Sequence, residues 1–126
     1  MTAMPEEAID FSLLLKSGAK EVSLKSGDVI FTVGDEADEL YIVEQGKVEI
    51  RLGNRLLATL GENAIFGEMA LIDDMPRSAT AVAATDVKLV PISEKQFLFF
   101  VSHTPYFALK VMRVLAARLR TSNASI

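Results

Sequence analysis

From Glu21 onward the chain arrives in short runs. EVSL, DVIFTV, ELYIVEQ, KVEIRL and RLLATL are followed by SATAVA and VKLVPI, each apolar or β-branched and punctuated by Gly, Asp or Asn. This succession constrains the fold more than any other feature, because runs of that length and residue type fit strands. Ser26-Gly27-Asp28, Val33-Gly34-Asp35 and Gln45-Gly46-Lys47 mark turns. Gly53-Asn54 suits a two-residue hairpin, since its backbone can take positive φ. In KVEIRL, alternation puts Val48, Ile50 and Leu52 inward and Lys47, Glu49 and Arg51 outward, as in a half-buried strand. About seven strands at this spacing predict a mainly β domain, a sandwich or barrel of antiparallel pairs.

Helical patterns flank the strands. Residues 6–16 read as a short amphipathic helix, with Ala8, Phe11, Leu14 and Leu15 on one side and Gly18 as its stop. Beyond Pro91, Ser93 with Glu94 and Gln96 caps a second helix whose buried face is QFLFFV. Thr104-Pro105 opens a longer third helix, because proline is tolerated in a first turn. Leu109, Met112, Ala116 and Leu119 follow a 3-4-3 spacing. Such a seam packs either on its own barrel or on a second copy, as a homodimer through the C-terminal helix, and both readings stay open.

Composition removes several classes. With 126 residues, half of them apolar, the chain suits one domain with a real core, over 1–126. Its apolar runs are too short to span a bilayer. Cysteine is absent, which removes disulfides, thiolate metal sites and thiol catalysis. The net charge of −4 argues against direct DNA binding by phosphate neutralisation. Acidic residues stand near the N-terminus where a signal peptide needs positive charge, so a cytoplasmic location is expected. Lys110, Arg113, Arg118 and Arg120 make the last helix basic, in keeping with a solvated face near a helix C-terminus.

The chemistry concentrates in FGEMALIDDMPRSATA, residues 66–81. Gly67 lets the backbone approach a ligand with no Cβ in the way. Glu68, Met69 and Ala70 read as the first turn of a short helix, whose N–H groups lack internal partners and favour an anion. Arg77 supplies a planar fork that matches phosphate oxygens, Ser78 a hydroxyl and Ala79 a further amide. A carboxylate at Glu68 would repel an anion but accept from sugar hydroxyls. Sugar recognition by Glu68 and phosphate pairing by Arg77 would specify a nucleotide-like ligand of limited charge. The bland alternative is a surface turn in which Glu68 complements a helix dipole and Arg77 is solvated.

FGEMAL…PRSATA resembles the phosphate-binding cassette of the cyclic nucleotide-binding domain family. The resemblance extends to the Gly27-Asp28 and Gly34-Asp35 spacing, LYIVEQGKVEI, and the helical stretch from Ile92 to Arg120, covering roughly residues 11–120. It implies an eight-stranded antiparallel β-roll, jelly-roll-like, over about 20–92, with an N-terminal helix, a short cassette helix and C-terminal helices over about 93–120. It implies cyclic AMP or cyclic GMP as ligand and no cofactor or metal. Glu68 would accept from the ribose 2′-hydroxyl and Arg77 would pair with the cyclic phosphate. Gly67 and Ala70 would offer main-chain amides, Ser78 and Ala79 would complete the phosphate cradle, and Met69 would belong to the same ligand-binding set. Ile50 and Ile65 would form the apolar bed of the base, with Arg113 or Arg118 as a lid contact. The last helix, from Tyr106, would move over the ligand and transmit the signal. Relatives often carry Gly-Asp where this chain has Asn63-Ala64, and Asn still suits a left-handed turn.

The expected function is a stand-alone sensor acting in trans on a separate effector protein, since only TSNASI follows Arg120. The alternative is a degenerate cyclic-nucleotide fold serving protein–protein contact or dimerisation. An enzyme is not expected: His103 is the only histidine and sits in a Ser-His-Thr-Pro turn.

Overall fold

The computed structural model describes residues 11–16, 18–73, 75–103 and 105–120. Helix α1, Phe11–Lys16, precedes strands β1 (Val22–Leu24), β2 (Val29–Phe31), β3 (Glu39–Gln45), β4 (Val48–Leu52), β5 (Arg55–Leu60) and β6 (Ile65–Phe66). A short 3₁₀ helix, Glu68–Leu71, leads through a loop to β7 (Thr80–Ala83) and β8 (Val87–Ser93), then α2 (Glu94–His103) and α3 (Pro105–Arg120). The predicted helix over 6–16 is described only from Phe11, and residues 6–10, Ala8 included, lie outside the described residues.

Eight strands form two four-stranded sheets, ordered β1-β8-β3-β6 and β2-β7-β4-β5, with every pair antiparallel. This is the predicted mainly β roll with flanking helices. Phe31, Val48, Ile50, Phe66, Ala81 and Leu89 are among the residues filling the space between the sheets. Leu40, Ile42, Ile65, Val90 and Ile92 face the other way and pack with Leu14, Phe100, Phe107 and Val111 of the helices. The first sheet is therefore covered on both faces. That explains why LYIV of β3 and LVPI of β8 are continuous apolar runs, whereas TAVA alternates between buried and half-exposed positions.

The local signals resolve into specific bonds. The Gln96 amide donates to Ser93 Oγ at 3.3 Å and the Ser93 amide to Gln96 Oε1 at 2.9 Å, a reciprocal cap at the start of α2. Leu52 pairs with Arg55 across a two-residue hairpin in which Gly53 has φ 60°. Asn63 takes the left-handed conformation expected of it, at φ 69°.

Three expectations need correction, and one open reading narrows. Leu52 is exposed, not inward, because a bulge between Ile50 and Arg51 interrupts the register before the hairpin tip. Leu98 and Phe99 are exposed while Phe100 is buried, since consecutive helical residues cannot share one face. For the same reason Leu15 points outward beside buried Leu14. On α3 the residues packed inward are Phe107 and Val111, with Val114 and Leu115 beside them, so the seam drawn through Met112 does not pack on the roll. Met112 is 58% exposed, and the Leu119 side chain lies outside the described residues. Among the described residues no helix is long and apolar enough to cross a membrane.

One carboxylate gives the fold a pH dependence. Glu44, half-buried on β3, has its pKa raised above 4.5 by hydrogen bonding to Glu21, then by burial and by the charge of Glu21, with Lys88 opposing. A carboxyl whose folded pKa is raised binds its proton more tightly in the native state. The stability it contributes is thus fully present below 4.5 and lost as pH rises through the folded value. Glu44→Gln is expected to flatten this part of the pH–stability curve and raise the melting temperature at neutral pH, as read by melts from pH 4 to 8.

Candidate functional site

Gly67 links β6 to the 3₁₀ helix with φ 74° and ψ 15°, a left-handed conformation costly for any residue with a Cβ. Space imposes a second requirement, because a Cβ at this position would lie 2.7 Å from Arg77 Nη1. Two independent demands thus converge on glycine.

Arg77 follows Pro76 and is tied into the roll through its main chain. The Gly34 amide donates to the Arg77 carbonyl and the Arg77 amide donates to the Asp35 carbonyl, both at 2.8 Å. Its side chain turns inward and is 7% exposed, so it is not the solvated surface residue of the bland alternative. Nη1 donates to the Gly67 carbonyl at 3.2 Å and Nη2 to the Glu39 carbonyl at 2.7 Å. Cζ stands 4.1 Å from the centroid of the Phe31 ring and 5.6 Å from that of Tyr41. Nε is buried with no hydrogen-bond acceptor among the described residues. Burial lowers the guanidinium pKa, with Tyr41, Asp38 and Glu39 acting in the opposite direction. An arginine nevertheless remains charged at neutral pH.

The charge balance around this cation is unusual. No carboxylate among the described residues lies within ion-pair distance of Arg77, whose direct partners are carbonyls, aromatic rings and the Tyr41 side chain, while Asp38 and Glu39 act on it from further off. A buried charge with no close counter-ion among the described residues is costly, and an arriving anion offsets that cost. Two of the five N–H donors of the guanidinium are held by carbonyls and Tyr41 engages the side chain as well, so an anion in the cavity would meet the charge through the Nη donors that the carbonyls leave.

Beside Arg77 opens a cavity of about 490 Å³, lined mostly by apolar groups. Gly67, Met69, Ala70, Arg77, Ser78 and Ala79 all line it, as does Ile50 from β4. Six of the seven cassette positions and one base candidate are therefore brought together. Glu68, the seventh, is 1% exposed and does not belong to the lining. Ala70 contributes less than expected, because its amide donates to the Gly67 carbonyl at 3.2 Å and closes the 3₁₀ turn.

Ile65 must be corrected. It faces the helical core, not the cavity, because Phe66 beside it points between the sheets and neighbouring strand residues alternate. Arg113 is exposed on α3, along a shallow groove with Lys110 and Val114, and does not reach the cavity. The side chain of Arg118 lies outside the described residues. His103 is exposed on α2, its ring stacked on Phe99 at 4.1 Å.

Sequence reasoning missed Phe31, Ala37, Asp73, Met75 and Pro76, which complete the lining, and Tyr41 behind Arg77. The loop residues Asp73, Met75 and Pro76 were legible only as a turn. Phe31 and Tyr41 read as strand aromatics, and only the pairing of β2 with β7 and of β3 with β6 brings them to Arg77.

A family model described as cyclic nucleotide-binding domain matches residues 21–104. The cyclic AMP receptor protein of Thermus thermophilus is 38% identical over 105 residues, covering 79% of this chain and 49% of that protein. In three dimensions the crystal structure of the Thermus thermophilus catabolite activator protein is similar with a TM-score of 0.78 at 36% identity, over 95% of this chain and 57% of that one. An EAL enzyme, Bd1971, in its cyclic AMP-bound form is similar with a TM-score of 0.62 at 42% identity, over 82% of this chain and 29% of that one. With its antiparallel roll, flanking helices and Gly-Glu…Arg-Ser-Ala cassette, this chain belongs to the cyclic nucleotide-binding domain family. It spans about half the length of the curated relatives it matches.

Proposed function

We propose that the cavity binds cyclic AMP or cyclic GMP and that its occupation regulates an effector protein in the cytoplasm. The observation that carries this reading is the buried Arg77 cation at the wall of an apolar cavity, with carbonyls and rings but no described carboxylate for partners. A single arginine matches a single phosphate, and the apolar lining from Phe31, Ile50 and Met69 suits a base or sugar face. The EAL enzyme of similar fold is known in cyclic AMP-bound and cyclic GMP-bound forms, which supports either nucleotide as ligand. We assign a regulatory and not a catalytic role: the site offers an anion cradle, and His103 is not part of its lining.

Melting with ligand tests the reading. A ligand that binds only the native state stabilises it by about 2.7 kcal/mol at a hundred times its Kd. Saturable upward shifts are expected with cyclic AMP or cyclic GMP and not with adenosine, which lacks phosphate. Equal shifts with adenosine, or none with any of the three, would count against the assignment. In the same assay Gly67→Ala is expected to destabilise the ligand-free protein by roughly 1–2 kcal/mol, from the left-handed backbone, and to weaken binding by displacing Arg77 Nη1.

A further inference from the structure

Resting on the reading of Arg77 as the phosphate partner, the geometry points to Phe31 as a positioning residue that fixes the guanidinium through its ring face and so sets anion affinity. A planar cation needs constraints in its plane and across it. The Gly67 and Glu39 carbonyls supply the first, at 3.2 and 2.7 Å. Phe31 supplies the second, with Arg77 Cζ 4.1 Å from its centroid. The ring is itself held firmly: Phe31 is buried, and its centroid lies 5.8 Å from that of Tyr41 and 6.0 Å from that of Phe66.

The choice of an aromatic over a carboxylate has a chemical consequence. An aspartate in that place would hold Arg77 equally well, but it would neutralise the charge and compete with the phosphate for the same donors. A ring face attracts the cation through its quadrupole and leaves the charge available to an anion. Phe31 thus keeps Arg77 pre-oriented and electrostatically unspent. Phe31 also lines the cavity, so the rival explanation of any binding defect is direct contact with the ligand.

Two measurements separate these. In ligand-free protein, the Arg77 Hε–Nε resonance, identified by its absence in Arg77→Lys, is expected to move downfield in Phe31→Leu as the ring current disappears, and to stay near its place in Phe31→Tyr. Calorimetric titration with cyclic AMP and cyclic GMP should then show about a tenfold loss for Phe31→Leu and retention within about twofold for Phe31→Tyr. In an Arg77→Gln background, followed to millimolar ligand, Phe31→Leu should cost less than about twofold, because a positioning effect vanishes with the group it positions. An undiminished tenfold loss in that background, or an unmoved Arg77 resonance, would overturn the positioning role. If the parent protein binds neither nucleotide, the ligand assignment fails and the affinity role with it, while the resonance in the ligand-free variants still decides whether Phe31 holds the guanidinium.

Discussion

Arg77→Ala is expected to weaken cyclic nucleotide binding by about ten- to a hundredfold or more while the roll stays folded. The substitution removes a charge-assisted contact worth roughly 1.5–3 kcal/mol, and each 1.4 kcal/mol is about a factor of ten in affinity. Burial makes the upper part of that range the better expectation. Arg77 is 7% exposed and carbonyls accept from its guanidinium, so an anion meets a cation with no close carboxylate among the described residues, in a site of low dielectric. The ligand-free variant should remain folded, because the cost of burying the charge disappears together with its contacts. Titration checks the first statement and thermal melting the second. Unchanged affinity in a folded variant would remove Arg77 from the site.

The second large effect falls on the fold. Gly46 joins β3 to β4 with φ 90°. A Cβ there would run into the Asp86 carbonyl and stand 2.8 Å from Thr85 Oγ1 and 2.9 Å from Val87 Cγ1. Much of this obstruction is backbone, which cannot rotate away; beside it the Lys47 amide donates to Thr85 Oγ1 at 3.0 Å and the Lys47 carbonyl accepts from the Ala84 amide at 2.9 Å. Gly46→Ala therefore combines left-handed strain with a collision that must shift the β7–β8 turn. A loss on the order of 3 kcal/mol or more is expected, with a fall in melting temperature on the order of 10 °C or more. The effect should be much larger than that of Gly53→Ala, where a Cβ meets nothing within 4 Å. Comparable melting of the two variants would show that the β7–β8 turn yields easily.

Much of this arrangement was readable from the chain because local rules dominate where strands are short. ELYIVEQ, RLLATL and the Ser93–Gln96 cap appear where their residue types place them. The cassette was legible for the same reason, since Gly67, the 3₁₀ turn and Arg77 are close in sequence. What escaped depends on register. Strand β6 is only Ile65–Phe66, too short for periodicity, and without it Ile65 was turned toward the wrong face. Leu52 was misplaced by a bulge that no residue type announces. The aromatic ground under Arg77 was invisible because Phe31, Tyr41 and Phe66 come from three strands of two sheets. Met112 was drawn into a heptad seam, whereas the inward stripe of α3 runs through Phe107 and Val111.

Under the proposed function, a buried arginine with no close carboxylate among the described residues is what equips this roll to receive a cyclic phosphate. Calorimetric titration of the purified protein with cyclic AMP, cyclic GMP and adenosine tests it most directly, after mass spectrometry has established that no ligand is retained from the host. Saturable binding of a cyclic nucleotide at micromolar or tighter affinity is expected, with adenosine at least about a hundredfold weaker for want of a phosphate. Adenosine binding as tightly as cyclic AMP, or no saturable binding of either cyclic nucleotide, would contradict it.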